Sequence, residues 1–393
     1  MKRLAVFVDG TWNVPDNNTN VWRLFNLTAT EDTDVRQLSY YHVGIGTGSR
    51  PGVGAESRQA VSSRLRGAFG AGVNASVRAC YEWLVRHHVE GDSVYIFGFS
   101  RGAFIARSLV GLIERCGLLL PGTPISVEEV FERYRVESPN GPVVKNPYAA
   151  RLEWPITTDP RLQRFSHRVQ VEMLGVWDAV RYHDVPFGTV RGLSREQNLF
   201  HVVHPSTATA KRMFHALAVD EHRYAYRPNI LRVSEPESTQ PFATFEQRWF
   251  PGAHSNIGGG YENDTAALLS LSWMQDNAAK AGLQFKHNVA LRADDHTAPI
   301  ADSFSSFLGG TYSFTRAGRR YSRPIGTDVR PSWEATPDGA SNQSIDASVF
   351  DRWREIESYR PLNVARWAHT HGVDPARLTD TCIAAAPAQV IDT

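Results

Sequence analysis

The run Ser93-Val94-Tyr95-Ile96-Phe97-Gly98-Phe99-Ser100-Arg101-Gly102-Ala103-Phe104 constrains the fold more than any other stretch of the chain. Val94 to Phe97 is a short apolar segment of the kind that makes a buried strand. Ala103 to Ile113 is apolar on almost every side, as a helix pressed against a sheet must be. The Gly-x-Ser-x-Gly turn between them is sharp and brings neighbouring backbones together. The residues two before and two after the serine must therefore be small, and Gly98 and Gly102 both are. Alone the pentapeptide is a weak signal. The strand before it and the helix after it mark Ser100 as a nucleophile held at a strand-to-helix elbow.

A chain of 393 residues with 42% hydrophobic content buries a substantial core, either as one large α/β domain with insertions or as two domains. The formal net charge of +1 gives no general pull toward nucleic acid or membrane, so contact with either would need a local patch. Cys80, Cys116 and Cys382 are few, far apart and odd in number, which argues against a disulfide framework or a cysteine zinc site. After Met1-Lys2-Arg3 the apolar run Leu4 to Val8 stops at Asp9, too soon for a signal peptide. No segment reaches the roughly 20 apolar residues of a membrane span. The expectation is a protein cytoplasmic as synthesised, and exported, if at all, without a cleavable signal.

Apolar strands alternate with helical patterns, which predicts a mostly parallel sheet with helices on both faces. Strands are expected at Leu4 to Val8, Leu38 to Val43, Val94 to Phe97, Val169 to Val176, His215 to Val219 and Phe245 to Phe250. Helices are expected at Asn20 to Ala29, Val73 to His88, Ala103 to Cys116, Thr265 to Ala281 and Ser348 to Ser358. Residues 1–293 read as the catalytic domain. A Pro- and Gly-rich stretch at about 118–165 reads as a cap-like insertion, and 294–393 as an extension packed on that domain.

Ser100 needs a histidine base and a carboxylate to orient it, and on α/β-hydrolases these follow the serine in the order acid, then histidine. His254 meets this order best. It follows the strand ending at Phe250, in Pro251-Gly252-Ala253-His254-Ser255-Asn256-Ile257-Gly258-Gly259-Gly260, where glycines allow close approach. His204, His215 and His222 are its rivals. Asp178 and Asp220 each end a strand after the elbow, and strand counting alone favours Asp220 slightly. The loop after the first strand lies beside the elbow, so the amides of Gly10 and Thr11 join that of Arg101 as an oxyanion hole. Asp9 either braces this loop or caps a turn.

Five collinear pieces resemble the type VI secretion phospholipase-effector family of α/β-hydrolases: Phe7 to Asn13, Gly98 to Ala103, Gly175 to Val180, Ala216 to Arg223 and Trp249 to Tyr261. The resemblance implies an α/β-hydrolase fold and esterase chemistry on glycerophospholipid. It implies that Ser100, Asp178 and His254 are the triad, which resolves the choice of acid. Asn256 departs from the family, where many relatives carry Asp. No cofactor or metal is expected, and an export or immunity partner is not legible.

Asp9-Gly10-Thr11 also suggests a haloacid-dehalogenase phosphatase, but the nucleophilic Asp would be residue 7, which is Phe. Asp16 to Asn20 lacks the spaced carboxylates of a calcium loop and reads as a helix N-cap at Thr19 or Asn20. Gly44 to Gly54 lack the Lys-Ser/Thr ending of a phosphate loop. The stretch Phe304 to Arg323 interleaves aromatics with Arg316, Arg319, Arg320 and Arg323, and is the candidate for peripheral membrane contact. A carboxylesterase for small or neutral esters and a non-catalytic binding protein on the same fold are the alternative functions.

Overall fold

The computed structural model describes residues 1–31, 33–45, 58–135, 159–180, 184–185, 188–189, 210–231, 244–315, 317–326 and 341–384. Among them, eight strands form one sheet: β1 (Arg3–Val8), β2 (Gln37–His42), β3 (Ser93–Phe99), β4 (Val171–Trp177), β5 (Ala210–Ala218), β6 (Phe245–Phe250), β7 (Gln343–Ile345) and β8 (Cys382–Ile383). Their order is β8-β7-β6-β5-β4-β3-β1-β2. Every neighbouring pair is parallel except β7 with β8. The expected mostly parallel α/β sheet is present.

Parallel neighbours need crossovers, and helices supply them on both faces. The helices are α1 (Asn20–Leu27), α2 (Arg58–His87), α3 (Arg101–Cys116), α4 (Val127–Arg135), α5 (His254–Gly258), α6 (Ala267–Lys280), α7 (Ala347–Glu355) and α8 (Leu362–His371). One core lies between the sheet and α2 with α3, built on Val6, Ile96, Leu109 and Leu174. The other lies under α1 and α6, around Phe7, Phe97, Phe214 and Met274. Apart from Arg115, all of α3 is buried, as its apolar circumference requires. Thr19 caps α1 by accepting from the Trp22 amide at 3.2 Å.

The differences from the sequence pattern have local causes. α2 begins well before Val73, because Gly67, Gly70 and Gly72 with Ser62 and Ser63 weaken the helical signal there. β5 begins at Ala210, five residues early, its start masked by Lys211 and Arg212. Both cations pair with Glu172 on β4.

The last two strands have only three and two residues, yet they continue the main sheet, and α7 and α8 cover them with a core of Trp249, Ile345, Phe350 and Trp367. Of the insertion at 118–165, residues 136–158 lie outside the described residues. In its described part, Leu118–Leu119 pair with Ser166–His167, and α4 places Val130, Phe131 and Tyr134 in the core with α2 and α3. Among the described residues no helix is long and apolar enough to cross a membrane.

Candidate active site

From β1 the chain turns out to β2, and from β3 it turns the opposite way to β4. The loops after β1 and β3 therefore part, and a crevice opens at the carboxyl ends of these strands, where sheets of this kind hold their ligands. Ser100 stands there, between β3 and α3, with φ 57° and ψ −120°. Such a positive φ is costly for a side chain other than glycine, so the surroundings must hold it. A Cβ on Gly98 would sit 2.5 Å from the Gly102 carbonyl oxygen, and one on Gly102 would sit 2.2 Å from that of Val8. The elbow closes only with glycine at both positions.

His254 opens α5, just past β6, and Asp178 follows β4 with φ 40°. The imidazole bridges the other two side chains: Nε2 lies 2.8 Å from Ser100 Oγ and Nδ1 lies 2.6 Å from Asp178 Oδ2. A carboxylate can only accept, so Nδ1 carries the proton and Nε2 is left to accept from the serine. Burial pushes the His254 pKa below the usual histidine value, against the opposing hydrogen bond and charge of Asp178. The ring is neutral at physiological pH. Asp220 does not reach it. That carboxylate accepts from the Gly252 amide at 2.7 Å and the Tyr359 hydroxyl at 3.0 Å, so it ties down the loop that carries His254.

The rival histidines are engaged elsewhere. His215 lies inside the sheet, fully buried, its Nε2 accepting from the Ala179 amide at 3.0 Å and its Nδ1 donating to Gln247 Oε1 at 3.1 Å. His222 Nδ1 lies 3.0 Å from the Tyr321 carbonyl. His204 lies outside the described residues.

Arg323 requires a correction. Expected at a membrane-facing surface, it is fully buried and grips Asp178 with both terminal nitrogens, Nη1 to Oδ1 at 2.6 Å and Nη2 to Oδ2 at 2.9 Å. It also donates to the carbonyls of Ala218 and Tyr226. A planar guanidinium matches a carboxylate edge to edge, and no lipid contact is open to it. Burial alone would raise the Asp178 pKa. The charge of Arg323 and the His254 hydrogen bond overcome it and hold the carboxyl well below the usual range. Nothing in the local sequence distinguishes Arg323 from its neighbours. Arg320 is exposed and paired with Asp302, Arg319 is exposed, and Arg316 lies outside the described residues.

Asp9 braces its loop, accepting from the Gly10 amide (2.7 Å), Asn13 (3.1 Å), Thr19 (2.6 Å) and Tyr41 (2.7 Å). This corrects the oxyanion expectation at Gly10, whose N–H is turned to Asp9. Thr11 lines the crevice, as does Arg101, the first residue of α3, where amides lack intrahelical acceptors.

The cavity beside Ser100 and His254 measures about 320 Å³, with Trp12, Arg223, Tyr226 and Phe307 around it. Glu221, next to Asp220, escapes the sequence pattern. Fully buried, it accepts from the His254 amide at 3.2 Å and Ser303 Oγ at 3.0 Å, and pairs with Arg223. Asn256 Oδ1 accepts from the amides of Ala253 and Ala301, both at 3.1 Å, and its Nδ2 is buried without a partner. An Asp there would keep both bonds.

The family model described as T6SS, phospholipase effector Tle1-like, catalytic domain matches residues 2–277. The chain belongs to this family. The chain is 31% identical over 189 residues to the uncharacterized protein YEL023C of Saccharomyces cerevisiae, a match covering 46% of this chain and 26% of that protein. It thus spans about a quarter of the curated relative it matches.

Among solved structures it is similar to an uncharacterized protein from Pseudomonas aeruginosa, at 18% identity over 80% of this chain and 51% of that one, with a TM-score of 0.40. It is also similar to the Tle1 effector bound to the VgrG spike of a type 6 secretion system, at 14% identity over 81% and 80%, with a TM-score of 0.38. The matched segment runs from β1 into α6, and the mostly parallel order of its strands agrees with the α/β-hydrolase fold expected from the sequence. Arg323 lies beyond the matched segment.

Proposed function

We propose that the protein is a serine esterase that cleaves acyl esters of glycerophospholipids. The observation that carries this reading is the row Ser100, His254, Asp178 joined at 2.8 and 2.6 Å in the crevice of the switch point. Ser100 Oγ attacks the ester carbonyl while its proton passes to His254 Nε2. Asp178 holds the ring and stabilises the imidazolium. The amides of Thr11 and Arg101 stabilise the oxyanion. The proton then goes to the departing alcohol oxygen as the acyl-enzyme forms. Water deprotonated by His254 attacks the acyl carbon, and its proton returns to Ser100 as the acid leaves. No cofactor enters these steps.

Phospholipid as the substrate, rather than a small or neutral ester, is supported by the family's description. So is export by a type VI secretion apparatus. A fluorophosphonate probe should label Ser100, and Ser100→Ala should lose label and several orders of magnitude of esterase turnover while keeping its fold. Near-normal turnover in that variant would overturn the reading. Absence of labelling in an intact wild-type protein would favour a non-catalytic binding protein.

A further inference from the structure

We propose that Arg223 is the binding residue for the phosphodiester of the substrate, an inference that rests on the serine-esterase reading above. Its guanidinium is held from three directions. Nε and Nη2 donate to Glu221 at 2.8 and 2.7 Å, and Cζ lies 3.6 and 4.6 Å from the ring centroids of Tyr226 and Phe307. The residue is 4% exposed. Among the described residues nothing accepts from Nη1, and Arg223 lines the cavity that contains Ser100 and His254.

With no hydrogen bond of its own, Nη1 stays open to the cavity, so an anionic oxygen arriving there displaces water from a donor already held in place. Two aromatic contacts and a bidentate carboxylate hold the group, and its remaining edge faces the cavity. That edge is ready for a planar or tetrahedral oxyanion.

The substrate's chemistry says which oxyanion meets it. Tyr226 stacks on Arg223 and meets the His254 ring edge to face, with centroids 4.9 Å apart. Arg223 thus shares Tyr226 as a neighbour with the base and stands beside the row of reacting side chains. The tetrahedral oxyanion forms beside Ser100 Oγ, where the amides of Thr11 and Arg101 are its donors in the reading above. A glycerophospholipid has its phosphate a few covalent bonds from the scissile carbonyl, so a cation edge in the same cavity as Ser100 can receive it. Glu221 offsets the charge of Arg223, so the subsite attracts through directed hydrogen bonds and has little long-range field.

A bracing role through Glu221 and the His254 amide is the competing account, and it weakens hydrolysis of every ester equally. The test compares wild type and Arg223→Gln on a detergent-dispersed phosphatidylcholine and on the diacylglycerol with the same acyl chains. The phospholipid should lose kcat/KM by roughly tenfold or more beyond the diacylglycerol, mainly through KM, the scale of one charge-assisted hydrogen bond. Equal losses, or none, overturn the subsite.

A second arm needs no variant. A non-hydrolysable diether phosphatidylcholine should inhibit diacylglycerol hydrolysis by the wild type competitively, and diether glycerol should inhibit about tenfold less. Equal inhibition overturns the subsite even if Arg223→Gln does not fold. Ser100-dependent diacylglycerol hydrolysis with no discrimination removes the subsite alone. No Ser100-dependent hydrolysis of either lipid removes the esterase reading.

Discussion

Asp178 shares its carboxylate between His254 and Arg323, so the same two oxygens serve a ring that must gain a proton and a cation that never loses one. Asp178→Asn should lower kcat by about 10⁴-fold, because an amide cannot stabilise the imidazolium, while Asp220→Asn should cost far less. Loss of the counter-charge around Arg323 should also destabilise Asp178→Asn by about 3–5 kcal/mol, so thermal unfolding has to be recorded beside turnover. A larger catalytic loss in the Asp220 variant would reverse the assignment.

Arg323→Gln isolates the cation. With the positive charge gone, Asp178 supports the imidazolium more strongly and the His254 pKa rises, so the acid limb of the kcat/KM profile should move up by about one pH unit. Arg323→Lys should restore part of the shift. An unmoved limb would leave Arg323 a purely structural residue.

At the scale of elements, what the sequence disclosed depended on whether the chemistry was local. Ser100, Asp178 and His254 each sit in a short motif at a strand end, and strands rich in Val, Ile and Phe announce those ends. Arg323 reaches Asp178 from a loop whose sequence is a plain mixture of Arg, Ser and Tyr, so its partner could not be read. β7 and β8 are too short to show a period; β7 forms on the free edge of β6, and β8 pairs with β7. Phe304 to Arg323 looked like one surface but divides. Phe304 and Tyr312 are buried with Tyr226, and Phe314, on the helical turn Thr311–Thr315, is 87% exposed. The surface that remains from the membrane expectation is thus Phe314 with Arg319 and Arg320. Phe314→Asp should reduce hydrolysis of anionic phospholipid vesicles several-fold and leave a soluble short-chain ester unchanged. Equal activity of variant and wild type on vesicles would exclude this turn from membrane docking.

Across the whole molecule, buried histidines make stability depend on pH. Burial lowers the His215 pKa from 6.5 to about 4, and that of His254 in the same direction. Between about pH 6.5 and 4 the unfolded chain therefore binds protons that the folded chain refuses. Stability is fully present above the unfolded value and falls as the medium becomes more acidic, by up to about 3 kcal/mol for His215 alone. Unfolding midpoints recorded from pH 7 to 4 should drop, and His215→Gln should flatten the curve. An identical slope in that variant would assign the acid sensitivity to other groups.

The sheet is completed by residues far from the elbow, and this orders events in time. A ribosome that has made the chain through α6 has already delivered Ser100, Asp178 and His254, but neither the guanidinium that clamps Asp178 nor the two strands that extend the sheet beyond β6. Nascent chains thus carry all three reacting side chains in an unfinished setting, and competence arrives late in synthesis.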